Sequence, residues 1–534
     1  MTLTLDIDAR TGGTPLAHHW NLCVGAGRAA EGLRADWQRH LAIAAADCGF
    51  RYVRFHGLFH DDMFVYRETE GRVTPTFHYV DLVVDPMLAL GVKPFVELGF
   101  SPGALAREQG TVFWWRGHGS PPVDHDRWAA LVRATIEHWI DRYGLDEVRT
   151  WYFEVWNEPN LAPFFRGTRT EYFELYRTTA LAVKSVDGEL RVGGPATSNF
   201  VPDGRFDGEA EDHAQHRAVL EADDLGALDW RPVWLEAFLE FCHDRSLPVD
   251  FVSCHPYPTD WALDEHGQGA KLTRPVEATP RDLRLVRRIV DDSQYPQAEI
   301  HLTEWSSSSS SRDHTHDYPQ AAAYVVKANL ESIGTVDSMS YWTFTDIFEE
   351  DGAGAEPFHG GFGMLNQHGI AKPTFHAYRM LGELGDELLA QEDGVVATRV
   401  RRDADGEDVK VAAVAYHYPE EVTLSVPASF ESRVVADDVL AAGSPRAVDL
   451  TFDGLTPGAM YRWEVLDPAD GYVVETWRAL GEPLNLSGDE ARTLSEDGRR
   501  TRSRILTVGP DGRLHVEAVI GPWSIALLAP EPAA

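Results

Sequence analysis

Short runs of β-branched and aromatic residues recur along the chain, and each is followed by a longer stretch in which apolar residues return at near-helical spacing. The runs are "HWNLCVG" near residue 20, "RYVRFHG" from Arg51, "KPFVELG" from Lys93, "TWYFEVWN" from Thr150, "LRVGGPA" from Leu190, "DFVSCHPY" from Asp250, "EIHLTEW" from Glu299 and "SMSYWTF" from Ser338. Between them lie amphipathic segments such as "DRWAALVRATIEHWIDRYG", where Trp128, Leu131, Ile136 and Trp139 share one helical face. Eight strand-helix units over roughly 370 residues predict an α/β fold of the (β/α)8 TIM-barrel type, spanning residues 15–387.

From residue 388 the pattern changes. "VKVAAVAYHY", "VTLSVPA", "AMYRWEVLD" and "WSIALLAP" alternate with period two between Gly, Pro and Asp turns, which predicts an accessory antiparallel β-sandwich over 388–534. The N-terminal "TLTLDID" alternates too, so residues 1–14 are expected to add a strand to that sandwich. A chain of 534 residues exceeds the usual single-domain size, which agrees with this division.

Composition narrows the partners. A formal charge of −36 sets the chain against nucleic acid and anionic membrane surfaces. Its positive charge is nearly all Arg, lysine being confined to Lys93, Lys184, Lys271, Lys327, Lys372 and Lys410. Four cysteines, Cys23, Cys48, Cys242 and Cys254, form no CxxC pair and read as reduced and buried. The N-terminus has neither a basic region nor an apolar core, which points to a cytoplasmic protein. Oligomeric state is not set by the sequence, and a homo-oligomer is compatible with it.

Two polar features invite a functional reading and are set aside. The run Ser306–Ser311 reads as a flexible loop. "RDHTHD" contains an HxH but no third ligand at sensible spacing, so a polar loop is expected rather than a metal site. Nothing calls for an organic cofactor.

In such barrels the residues closing the strands meet at one end. Strand two closes with His56, strand four with Asn157 and Glu158, strand six with His255 and Tyr257 and strand seven with Glu304, while strand eight runs past Trp342. Two carboxylates, Glu158 and Glu304, should therefore face one cavity. Such a pair suits glycoside cleavage, where one carboxyl must donate a proton while the other, ionised, attacks the anomeric carbon or activates water. Glu154, between Phe153 and Val155, is expected instead to form a buried ion pair with an arginine such as Arg54.

"WYFEVWNEPN" resembles the signature of glycoside hydrolase family 39, within the wider clan of retaining barrel glycosidases. The likeness extends from about residue 15 to 385, and "TVFWWRGHGSPP", "SCHPY", "HLTEW", "YWTFTDIFEE" and "FHGGFGMLN" are similar to the β-xylosidase branch. The resemblance implies Glu158 as acid/base and Glu304 as nucleophile. It also implies Asn157 on the sugar 2-hydroxyl, His56 and His255 on other hydroxyls, and Tyr257 holding Glu304 ionised. Trp342 would be a stacking floor, Phe113 or Trp114 a wall, and Glu349 and Glu350 hydroxyl-binding acids. The expected activity is that of a retaining, exo-acting β-D-xylosidase on xylooligosaccharides. The alternatives are an α-L-iduronidase, a β-glucosidase, β-galactosidase or α-L-arabinosidase, or a noncatalytic sugar-binding protein. Acidic Glu349, Glu350 and Asp351 disfavour a uronate substrate.

Overall fold

The computed structural model describes residues 2–198, 200–201, 230–263, 269–400, 409–426 and 432–531. All eight apolar runs are strands of one closed barrel, each parallel to the next: Cys23–Arg28, Tyr52–His56, Lys93–Leu98, Tyr152–Val155, Arg191–Ser198, Phe251–His255, Glu299–Trp305 and Ser338–Tyr341. They are called strands one to eight below. The amphipathic segment quoted above forms the helix His125–Tyr143, started by Asp124, whose carboxylate accepts the Asp126 and Arg127 N–H groups. Its apolar face covers strand four, with Trp139 edge-on to Trp151 at 5.3 Å.

Period-two alternation sorts each strand into an outer and an inner face. On strand four Trp151, Phe153 and Val155 join the layer under the helices. Tyr152 instead packs inside the barrel with Tyr52, Phe95 and Phe251. His301 meets the edge of Tyr152 in the same layer. One step of two residues further along the strands, the interior turns polar: Arg54, Glu97, Glu154 and Thr303 are all fully or almost fully buried. The next step reaches the strand ends.

The strand Leu3–Asp8 pairs in parallel with Arg446–Asp453, which pairs in turn with Leu514–Ile520. This three-stranded sheet packs against a seven-stranded one through Leu5, Ile7, Leu450, Phe452, Val411, Trp463 and Leu528. The seven-stranded sheet includes Thr14–Pro15 and Glu387–Glu392, so its edge begins at the chain's return from the last barrel helix, Pro373–Gly382. Its strands Lys410–Tyr416, Met460–Leu466 and Ile525–Pro530 are the alternating segments read from the sequence.

Two details differ from that reading. "VTLSVPA" makes, in its described part, only an isolated bridge between Leu424 and Pro275, and residues 427 and 428 lie outside the described residues. Three helices, Arg433–Leu440, Val474–Ala479 and Gly488–Asp497, interrupt the β region, and Trp477 packs with Phe358 from the loop after strand eight. Such short segments are too brief for periodicity to separate strand from helix.

The serine run is not a flexible loop. Ser306, Ser307 and Ser308 are buried directly after strand seven, where Ser306 donates to the Ser308 carbonyl and the Ser309 N–H donates to Thr259. Small hydroxyl side chains satisfy a buried turn locally, so a composition typical of mobile linkers here fills tight space. The HxH histidines likewise have structural surroundings. His314–Asp317 is a single 3-10 turn, and the His316 ring lies 3.0 Å from the Gly360 carbonyl.

Beside that turn, fully buried Lys372 reaches Asp317 at 2.8 Å and Asp346 at 3.0 Å. It also donates to the Gly361 carbonyl. Burial works against the ammonium, but the two carboxylates outweigh it and hold the Lys372 pKa above its usual range. The triad anchors the long loop after strand eight. Lys372→Met should cost about 3–5 kcal/mol of stability, because it strands two buried carboxylates. Thermal unfolding should show part of that loss restored by adding Asp317→Asn and Asp346→Asn; no recovery would mean that packing, not charge, is what Lys372 supplies.

Candidate active site

Alternation alone does not bring the key carboxylates inward. On strand seven His301 and Thr303 face the interior, so Glu304 should face out, but the pairing with strand eight slips between Leu302 and Trp305 and turns Glu304 into the barrel. Strand four ends at Val155, after which Trp156 and Glu158 both take left-handed backbone, at φ 72° and 44°. Non-glycine residues adopt this region at a cost, and two within three positions are held only because neighbours fix them. The Trp156 N–H donates to the Leu98 carbonyl and the Glu158 N–H to the Ala196 carbonyl, tying the corner to strands three and five.

The result gathers Glu158, Glu304, His255, His56, Asn157 and Tyr257 at one end of the barrel. One oxygen each of Glu158 and Glu304 and one ring nitrogen of His255 lie within 4.8 Å of one another, and all three residues are buried. Glu158 Oε1 is 3.0 Å from His255 Nδ1. Tyr257 donates to Glu304 Oε1 at 2.6 Å and Arg54 to Glu304 Oε2 at 3.3 Å. Arg54 also donates to Glu154 at 2.6 Å and to Asn157 Oδ1 at 2.7 Å, and lies 3.2 Å from Glu97. The expected ion pair between Glu154 and Arg54 is present, inside a larger network.

Charge is partitioned by environment. Burial pushes Glu158 up to about 7, against the Ser198 hydroxyl and the charges of His56 and Arg54, which favour its anion. His255 is pulled down to about 4 by burial and is neutral. His56 is also buried, but Glu97 and Glu350 outweigh that and raise it to about 10, so it is an imidazolium at neutral pH. Its Nδ1 bonds Glu97 and its Nε2 lies 3.4 Å from Glu350. For Glu304 hydrogen bonds were expected to keep the group ionised. Burial and the adjacent Glu158 instead push its pKa upward, while His255, His56 and Arg54 oppose them. Glu304 faces the guanidinium directly, whereas Glu158 faces a neutral ring.

Other expected residues are distributed around this centre. The Trp342 ring lies 4.7 Å from His56 and beneath Arg54, and Phe113 stacks on His56 at 6.0 Å. Trp114 is 65% exposed at the rim, fastened through its N–H to the Glu350 carbonyl, and its neighbour Trp115 is the ring that stacks on Phe113 at 5.3 Å. Glu350 is in the cluster through His56. Glu349 is turned from it onto Arg28, at 2.8 Å, and Arg34. Glu97, Thr303 and Ser198 were not singled out from sequence. Glu97 carries the same signal as Glu154, a carboxylate between apolar residues of an inner strand; Thr303 and Ser198 carry none.

Trp342 owes its place to Gly25 on strand one. A Cβ there would lie 2.3 Å from Trp342 Cε3. Gly25→Ala should displace the ring, costing about 1–3 kcal/mol of stability. Any glycosidase activity should fall more than unfolding explains, and full activity with an unchanged unfolding temperature would show that the ring has room to spare.

The model of glycosyl hydrolases family 39 matches residues 3–504. The chain is 35% identical to a β-xylosidase of Geobacillus stearothermophilus over 529 residues, 96% of this chain and 92% of that one. It is 39% identical to a β-xylosidase of Caldicellulosiruptor saccharolyticus over 395 residues, 73% of each. The crystal structure of a monomeric β-xylosidase from Caulobacter crescentus CB15 superposes with a TM-score of 0.83 at 32% identity, covering all of both chains.

Proposed function

The chain belongs to glycosyl hydrolases family 39, and from that premise we propose that this glycoside hydrolase is a retaining β-D-xylosidase that releases xylose from the non-reducing ends of xylooligosaccharides. The observation that carries the mechanism is the close approach of Glu158 and Glu304, with an oxygen of each within 4.8 Å of the other. Retaining enzymes hold their carboxyls about 5–5.5 Å apart, inverting ones about 6.5–9.5 Å, to leave room for water.

Glu158, protonated near neutrality, gives its proton to the glycosidic oxygen as the bond to the anomeric carbon breaks. Glu304 attacks that carbon from the opposite side and forms the glycosyl ester. Water then loses a proton to Glu158 while its oxygen bonds the anomeric carbon, and the ester bond to Glu304 breaks. Arg54 takes the Asn157 carbonyl oxygen as acceptor, which leaves the amide N–H groups to donate to the sugar 2-hydroxyl, a bond that strengthens as positive charge develops. Charged His56, whose Nε2 lies 3.4 Å from Glu350, offers a donor to a sugar hydroxyl. Both ring nitrogens of His255 are taken by Glu158 and Thr303, so the hydroxyl contact expected of His255 is replaced by support of Glu158. Trp342 and Phe113 supply apolar surface for the ring.

A neutral pentose is favoured over a uronate. Around the loop after strand eight, Arg28 is held by Asp62 and Glu349, and Arg312 donates to the Ser311, Asp351 and Gly352 carbonyls. These cations are already engaged, while Glu350 would repel a sugar carboxylate. In line with the identity to named β-xylosidases, aryl β-xylosides should be cleaved faster than aryl iduronides, β-glucosides, β-galactosides or α-L-arabinosides; preference for the iduronide would overturn the substrate assignment.

Glu304→Gly should abolish turnover, whereas Glu158→Ala should lose most activity on xylobiose and far less on dinitrophenyl xyloside, whose leaving group needs no proton. Equal, mild losses in both variants would refute the roles. In the wild type, kcat/KM for xylobiose should fall about tenfold per pH unit above the Glu158 pKa of about 7, because the acid is then deprotonated.

A further inference from the structure

The proton on Glu158 has a fixed origin in the hydrogen-bond directions behind it. His255 Nδ1 lies 3.0 Å from Glu158 Oε1, and the other ring nitrogen, Nε2, lies 2.9 Å from the Thr303 hydroxyl. Thr303 in turn donates to Glu154 Oε1 at 2.6 Å, and Glu154 is held by Arg54 through Oε2. A threonine hydroxyl has one hydrogen. That hydrogen is committed to a carboxylate, which accepts and cannot give, so toward His255 the Thr303 oxygen must be the acceptor. His255 Nε2 therefore carries the ring proton. The ring is neutral, so Nδ1 presents a lone pair, and the carboxyl facing a lone pair at 3.0 Å must be the donor.

We infer that Thr303 is a positioning residue which, through the tautomer of His255, keeps the proton on Glu158. This rests on the reading of Glu158 as acid/base and goes beyond it. The Thr303 hydroxyl bonds His255 and Glu154, and through the former it sets which way the His255 bond points. The same arrangement serves the second half of the reaction. Once Glu158 has given up its proton, two acceptors confront each other across that bond, so the carboxylate regains a proton from water more readily.

Other groups also face Glu158. The Ser198 hydroxyl on strand five and the charges of His56 and Arg54 on strand two favour the anion, while Glu97 on strand three favours the protonated form. Glu304 on strand seven and Tyr257 after strand six face it as well, and each is affected by its charge. None of these fixes the His255 tautomer; the bond to Thr303 does. His255 itself is flanked by Glu304, Arg54, Glu154 and His56; burial, with the two cations, disfavours a second ring proton and outweighs the two carboxylates, which favour it.

Removing only the hydroxyl tests the relay. Thr303→Val keeps the shape but leaves Nε2–H without an acceptor. The ring then gains by moving its proton to Nδ1, where it donates to the Glu158 carboxylate and stabilises the anion. The alkaline limb of kcat/KM for xylobiose should move down by about one pH unit, the scale of one hydrogen bond to a charged group. Thr303→Ser should restore it, and dinitrophenyl xyloside should show no such shift. A merely structural role would lower the rate evenly across pH without moving the limb. An unmoved limb in the valine variant, or equal shifts in Val and Ser, would overturn the inference.

Glu158→Gln, run alongside, separates the two readings. If the limb persists in that variant, the acid/base assignment itself is wrong; if it disappears there but stays put in Thr303→Val, only the relay fails. Should the valine variant not fold, nitrogen-15 spectra of selectively labelled histidines in the wild-type protein decide. The His255 signals should be those of a neutral ring protonated at Nε2, and a ring protonated at Nδ1 would refute the relay.

Discussion

One buried guanidinium sets the terms for the rest of the site. Arg54 lies wholly inside the barrel, where an unpaired charge would be prohibitively costly. It is tolerable because Glu97, Glu154 and Glu304 converge on it from strands three, four and seven. Those contacts make the register of four strands interdependent, since a slip in any of them would leave a buried charge without its partner. The same group orients Asn157, so the strained corner after strand four and the kink in strand seven meet on a common anchor.

The barrel is stratified along its axis, and the order of the layers matters. Tyr52, Phe95, Tyr152, Phe251 and His301 form an aromatic base. Above them the charged layer is itself buried, so each ion acts strongly on its neighbours. This explains how two histidines of one cluster diverge so far, one held charged by Glu97 and Glu350 and the other kept neutral by burial. Two neighbouring carboxyls likewise meet different surroundings, Glu304 accepting from Arg54 and Tyr257 and Glu158 lying against His255.

Much of this could be read from the chain. Short runs of β-branched and aromatic residues, each followed by a helix-length segment, marked all eight strands, and the residues at their ends are the ones that meet. The apolar neighbours of Glu154 correctly implied a buried partner, and the alternation of "TLTLDID" anticipated a strand. What escaped notice depends on three-dimensional detail. A one-residue slip that turns Glu304 inward leaves no mark on composition, and a threonine in a β-strand is unremarked because strands favour threonine anyway. The serine run misled because local hydroxyl bonding makes it as fit for a cramped turn as for a mobile one. The three helices described beyond residue 387 were missed because segments of six to ten residues are too short for either period to stand out, and Gly488–Asp497 is mostly polar with Leu494 alone buried.

The clasp made by Leu3–Asp8 bears on the order in which this protein assembles. Leu3 precedes the barrel in the chain, yet its partner Val448 emerges only after the entire barrel has been synthesised. Contacts in the barrel join each strand to the next, and they can form as translation proceeds. The apolar face of Leu3, Leu5 and Ile7 lacks its strand partner through that time, so the three-stranded sheet of the sandwich can be completed only after the barrel sequence is available.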